Sequence, residues 1–136
     1  MSYLLDTNIC IALINGTSSQ VRRRHIQATG HGTIPHTSSI VAHELWYGVA
    51  KSDRVAQNAN RLTAFLNSAV AVLDCTERDA QAAGEIRAEL ERQGQRIGEY
   101  DTLIAGQAFS RNLILVTSNT REFARVRNLV VEDWTE

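Results

Sequence analysis

Four consecutive aliphatic residues, Leu113-Ile114-Leu115-Val116, set the tightest constraint on how this chain folds. A strand wetted on one face alternates apolar with polar residues, whereas an unbroken aliphatic run fits a strand covered on both faces. Such coverage calls for helices above and below a parallel sheet, and the chain supplies them by alternating short apolar runs with longer stretches of helical period. Tyr3 to Leu5 reads as a first strand, followed by a helix opened by Thr7-Asn8 and stopped at Asn15-Gly16, where glycine is a usual terminator. A basic helix over Val21 to Ala28 ends at Gly30-His31-Gly32. Thr33 to Thr37 is a weak second strand, assigned to a sheet edge because Pro35 has no ladder donor.

Ser38 and Ser39 are N-cap candidates for a helix through Glu44, Trp46 and Tyr47 to Lys51, and Arg54 to Ser68 forms the next, the two making a helical hairpin. Val70 to Leu73 is a third strand. Thr76-x-x-Asp79 has the form of a capping box at the head of a long helix to Gln93-Gly94, and Tyr100 to Arg111 is the last long helix. With the aliphatic run as the fourth strand and Leu129-Val130-Val131 as the fifth, the expectation is an α/β fold with a parallel sheet of about five strands, in a single domain over residues 1–136.

No apolar run approaches the roughly 20 residues that cross a bilayer, and Asp6 interrupts the N-terminal run at once, so neither anchor nor signal peptide is expected. Cys10 and Cys75 follow no metal-ligand spacing; they read as small core residues in the reducing cytoplasm. A formal net charge of -1 argues against a nucleic-acid partner, which usually leaves a basic footprint. That balance misleads if several of the acids serve a cation. Lys51 is the one lysine among fourteen basic residues, and the arginine bias suits bidentate phosphate contacts as well as it fits a genomic preference.

The acids stand out by position. Asp6 ends the first strand, Glu44 lies mid-helix among Leu45, Trp46 and Tyr47, Asp101 opens a helix, and Glu122 follows the fully covered strand. In an open α/β sheet the ligand crevice lies beyond the carboxyl ends of the strands, where Asp6 and the Thr117 to Glu122 loop converge. Carboxylates gathered there suit a hard divalent ion, and phosphodiester hydrolysis uses such an ion to activate water and neutralise charge on the scissile phosphate. Each acid also has an ordinary explanation. Asp6 before Thr-Asn is a helix cap, Glu44 a solvated helix face, Asp101 a complement to a positive helix N-terminus, and Glu122 a surface partner of Arg121 or Arg125. Singly these explanations win; together they leave four coincidences.

Five strings then carry a resemblance. Leu4-Leu5-Asp6-Thr7-Asn8-Ile9, His43-Glu44-Leu45-Trp46-Tyr47-Gly48, Ile97-Gly98-Glu99-Tyr100-Asp101 and Leu115-Val116-Thr117-Ser118-Asn119-Thr120-Arg121-Glu122-Phe123 resemble, in order, the acidic motifs of PIN domains. Val131-Glu132-Asp133-Trp134 is similar to the C-terminus of VapC toxins, and the match spans nearly the whole chain. The resemblance implies a PIN-fold α/β/α sandwich and a Mg2+-dependent endoribonuclease with Mn2+ as a substitute. It implies a homodimer whose cognate VapB-type antitoxin joins it in a larger hetero-oligomer. Asp6 and Asp101 match the metal ligands, Glu44 and Glu122 complete the catalytic acids, and Asn8, Thr117 and Asn119 are auxiliary polar groups. Two departures stand out: Asn119 occupies a position that is Asp in many PIN domains, and Glu99 one that is often Pro. Asn supplies no charge, so Glu122 is expected to take over the acidic role.

Other chemistries fail on spacing. His43-Glu44 is followed by Tyr47 where HExxH needs a second His, Ser38 and Ser39 lack a nucleophile elbow, and no P-loop occurs. His25, His31, His36 and His43 read as surface or satisfied packing residues, and Trp46 and Tyr47 as core or interface aromatics. Arg22, Arg23, Arg24 and Arg121 are the candidates for RNA phosphate contact, against the plainer reading of a solvated face. The function reached is that of a toxin in a type II pair that hydrolyses structured RNA. The resemblance points to a tRNA anticodon loop, with initiator tRNA inside that class. The alternatives are a PIN-like binding domain that has lost its chemistry through Asn119 and Glu99, and an RNA-processing nuclease without an antitoxin.

Overall fold

The computed structural model describes residues 2–136. Its five strands are all parallel, in the order β3-β2-β1-β4-β5. They are β1 (Tyr3–Leu5), β2 (His36–Ser38), β3 (Ala71–Leu73), β4 (Ile114–Val116) and β5 (Val131–Glu132). The aliphatic run forms β4, fully buried between β1 and β5 as its composition demands. Helices α1 (Thr7–Asn15), α2 (Ser19–Gly30), α3 (Ser39–Ala50) and α4 (Val55–Ser68) join β1 to β2 and β2 to β3, and α1 packs on the other three. After β3 the chain reverses direction across the sheet through α5 (Glu77–Arg92) and α6 (Glu99–Ser110), with the single turn α7 (Thr120–Phe123) before β5. Right-handed crossovers then put the two helical groups on opposite faces, giving the α/β/α layering.

Local chemistry fixes the helix starts. Ser38 caps α3 by accepting from the Ile40 amide, and Thr76 with Asp79 forms the capping box of α5. Asp79 also binds Ser110 and pairs with Arg111 at 3.0 Å, tying the head of α5 to the tail of α6. Burial raises the Asp79 pKa, but the Arg111, Ser110 and Thr76 hydrogen bonds outweigh it and hold the carboxyl at about 2. Between these helices a Cβ on Gly106 would lie 2.6 Å from the Ala83 backbone, so only glycine permits the approach.

The second strand corrects an expectation. Pro35 points to an edge strand over Thr33–Thr37, yet the strand runs His36–Ser38 and lies inside the sheet, paired with β1 and β3. Pro35 stands just before it, where its missing N–H costs nothing and its carbonyl accepts from the Ala71 amide at 2.9 Å. The fifth strand begins at Val131, not Leu129, and α2 extends beyond Val21–Ala28 to Ser19–Gly30. Cys10 is fully buried, but Cys75 is only half-buried and is no core residue. Trp46 and Tyr47 are exposed and so not core aromatics. Among the histidines His25 shares a hydrogen bond with the Ala69 carbonyl, whereas His36 Nδ1 is buried with no partner among the described residues.

Candidate active site

The order β3-β2-β1-β4-β5 places the reversal of chain direction between β1 and β4, and Asp6 and Thr117 are the residues that follow those two strands. This is the switch-point crevice of an open parallel sheet. Asp6 is 6% exposed, its backbone N–H bonded to the Val116 carbonyl at 2.9 Å as the last rung of the β1–β4 ladder. One carboxylate oxygen accepts from the Thr7 amide at 2.8 Å, the other from Thr117 Oγ1 at 2.8 Å. Thr117 Oγ1 in turn accepts from the Asn119 amide at 3.0 Å, which bends the chain out of β4 into α7. Asp6 is therefore the helix cap the plain reading made it, and also a fixed carboxylate at the centre of the crevice.

The other acids gather round it. Thr7 Oγ1 donates to Glu44 Oε1 at 3.0 Å, binding α1 to α3 across 37 positions of sequence. Asn119 Nδ2 donates to Glu122 Oε2 at 2.9 Å within the α7 turn. Asp101, in the first turn of α6, makes no side-chain hydrogen bond among the described residues. Burial raises its pKa, and the charges of Asp6, Glu122 and Glu44 add to that, bringing it to about 6. Asp6 is raised by burial too, with the Thr117 and Thr7 hydrogen bonds opposing. The charges of Asp6, Glu122 and Glu44 thus each bear on Asp101.

The auxiliary and basic residues divide. Thr117 and Asn119 belong to the network, but Asn8 is exposed and outside it. Thr7, which holds Glu44, was not singled out in the sequence; its place directly after Asp6 was the available signal. Arg121 is exposed on α7 beside Glu122, and Arg22 and Arg23 are exposed on α2. Arg24 is engaged elsewhere, paired with Glu132 at 3.0 Å and lying over the Trp134 ring. Trp134 in turn packs on Tyr3, at the far end of β1 from Asp6. The basic cluster of α2 therefore anchors the C-terminal segment through one of its three members.

The donor set fits a hard divalent cation. It is all oxygen, and the charge on Asp101 lacks a compensating partner among the described residues. Among those residues no three His, Cys, Asp or Glu side chains already form a ligating group.

A parallel five-stranded α/β/α fold with acids gathered at its switch point defines a class, and the PIN domain pattern matches residues 3–129; the chain belongs to the PIN-domain family. Within it the chain is 44% identical to the tRNA(fMet)-specific endonuclease VapC of Shigella flexneri over 135 residues, 99% of either protein. Among solved structures it is similar to VapBC2 from Rickettsia felis bound to a DNA fragment from their promoter, with a TM-score of 0.90 at 40% identity over 98% of this chain and 99% of that one. It is equally similar to DNA-bound VapBC from Salmonella typhimurium, with a TM-score of 0.90 and 40% identity over 98% of both chains.

Proposed function

We propose that this chain is the toxin of a type II toxin–antitoxin pair, an endoribonuclease that depends on Mg2+, with Mn2+ able to substitute. The observation that carries the reading is the hydrogen-bonded placement of Asp6, Glu44 and Glu122 around the switch point, beside an Asp101 whose pKa is raised by burial first and then by those three charges. The names of the relatives support the activity, and the VapBC complexes support the pairing. Asp6 and Asp101 are the metal ligands of this proposal. When bound, the ion supplies water activation and charge neutralisation at the scissile phosphate.

The protein's part is placement. Thr117 and the Thr7 amide hold the Asp6 carboxylate in one orientation, and Thr7 Oγ1 holds Glu44. Asn119 steadies Glu122, which takes over the charge that Asn119 lacks, so the departure at that position leaves the pocket acidic. Asp101 is left free of competing donors and accepts a cation in their place. The substrate is structured RNA, with a tRNA anticodon loop, initiator tRNA within that class, as the specific target; unstacked loop bases can enter a site that a duplex cannot. The working form is one PIN domain over residues 1–136, cytoplasmic, a homodimer held silent by a VapB-type antitoxin in a larger assembly. Among the described residues no helix is long and apolar enough to cross a membrane.

Cleavage of total RNA by the purified protein, with mapping of the cut ends, tests this reading. Activity is expected with Mg2+ and absent with excess chelator. Asp6→Asn and Asp101→Asn, which keep volume but remove a charge, should abolish cleavage and growth inhibition while leaving the circular dichroism unchanged. A fully active Asp101→Asn protein would overturn the metal site.

A further inference from the structure

An acidic pocket repels the RNA backbone, so a cutting site of this kind needs cations beside it. Arg24 is committed to Glu132 and Trp134, which leaves the question of which guanidinium groups stand next to the acids. Between α5 and α6 lies a cleft of about 270 Å3 with a floor of Ala80, Ala83 and Gly84 and with Arg87, Arg96 and Glu99 in its lining. Its α6 wall is made by Glu99, Thr102 and Leu103, in the turn that also carries Asp101, although Asp101 itself does not line the cleft. Arg96 stands two residues before the Gly98 cap of that helix, and its carbonyl accepts from Arg125 at 3.0 Å, three residues past Glu122. The Arg96 segment thereby leads into α6, which carries Asp101, and is held by a side chain from just beyond α7, which carries Glu122. Among the described residues the Arg96 guanidinium has no ion pair or hydrogen bond, and Arg87 has only a loose pair with Glu91 at 3.7 Å.

We propose that this cleft is a substrate subsite for one unpaired ribonucleotide of the strand being cut, its base on the Ala83–Gly84 floor and its phosphate on Arg96 and Arg87; the assignment rests on the ribonuclease reading above. The size decides the class, because the cleft falls just under the range that encloses drug-sized ligands and so admits one base rather than a stack. The lining supplies each contact a nucleotide uses. An apolar floor takes a base face, planar guanidinium groups serve phosphate or stack on a base, and Glu99 accepts from a base amino group or a ribose hydroxyl. The floor is open by construction: a Cβ on Gly84 would meet nothing within 4 Å, in contrast to Gly106 on the opposite helix.

Steady-state cleavage of bulk tRNA with Mg2+, over a range of salt concentrations, tests the subsite. Arg96→Ala should raise KM about ten-fold with kcat within about two-fold, and lower the steepness of the salt dependence by about one phosphate contact. Arg96→Lys should recover part of the loss. Gly84→Leu should raise KM with the salt dependence unchanged and melt no lower than the parent, since leucine is the better helix former and its side chain enters open space. Wild-type KM and salt dependence in Arg96→Ala, or wild-type KM in Gly84→Leu, would overturn the subsite while cleavage by the parent protein left the ribonuclease reading standing. Failure of the parent protein to cleave either bulk tRNA or total RNA would instead overturn both. Should Gly84→Leu not fold, the Arg96 pair of variants decides alone.

Discussion

Asp101 is where the electrostatics of the pocket are concentrated. Its pKa is raised to about 6 by burial first and then by Asp6, Glu122 and Glu44, against an unfolded value of about 3.9. A carboxyl whose folded pKa lies above its unfolded one favours folding in its protonated form. Its contribution to stability is therefore fully present below about pH 4 and is lost as pH rises through about 6. Without divalent ions Asp101→Asn should melt above the wild type at pH 7.5 (roughly neutral, above both values), and the difference should shrink as the pH falls toward about 4. Added Mg2+ should stabilise the wild type more than the variant, because a ligand bound to the folded state raises its melting point. Thermal melts across pH with and without Mg2+ check this, and a difference independent of both would remove the repulsion. The acid itself was marked in the sequence by its place at the opening of a helix and by the resemblance of Ile97-Gly98-Glu99-Tyr100-Asp101 to a PIN motif; its unpartnered state was not, since that depends on which donors α1, α3 and α7 leave unused.

At the scale of elements, the short turn α7 sets Asn119 against Glu122, the acid proposed to stand in for an Asp at position 119. Phe123 is fully buried and pins the turn, so that Glu122 and Asn119, three residues apart, face each other at 2.9 Å. Spacing alone suggested this, because residues three apart on a helix are neighbours. Glu122→Gln is expected to cost roughly 10–100-fold in activity or metal affinity if the carboxylate acts through the groups around the ion, and more if it ligates directly. Asn119→Ala should cost less, as it removes an orienting bond and leaves the charge in place. The Mg2+ dependence of cleavage for the two variants measures the contrast, and an unchanged Glu122→Gln curve would return the residue to the solvent face. Elements with strong local chemistry, such as the capping box of α5 and the aliphatic β4, were readable in advance. The position of β2 was not: Pro35 argues for an edge only if it lies inside the ladder, and three-residue strands leave no pattern to fix where the ladder begins. The Thr7–Glu44 bond was hidden for a similar reason, since it joins elements 37 positions apart.

For the whole molecule, a net charge of -1 conceals local structure in the charge, with Asp6, Glu44 and Glu122 all bearing on Asp101 while Arg22, Arg23 and Arg121 stay exposed. Composition sums over that arrangement and so pointed away from nucleic acid. Aromatic side chains tell of a second surface. Trp46, Tyr47 and Tyr100 are 40%, 59% and 50% exposed, and Tyr100 packs on His43 with ring centroids 5.4 Å apart where α3 touches α6. Exposed aromatics of this kind are enriched at interfaces, and a patch made by α3 and α6 fits the proposed homodimer. The same two helices carry Glu44 and Asp101, so pairing through them would set two acidic pockets near one interface. Because Trp46 and Tyr47 are largely outside the core, replacing them should leave the protomer folded. Light scattering at micromolar concentration should give a dimer mass for the wild type and a monomer mass for Trp46→Asp/Tyr47→Asp, with unchanged circular dichroism. A monomeric wild type would remove the dimer, and a dimeric double variant would move its interface away from α3.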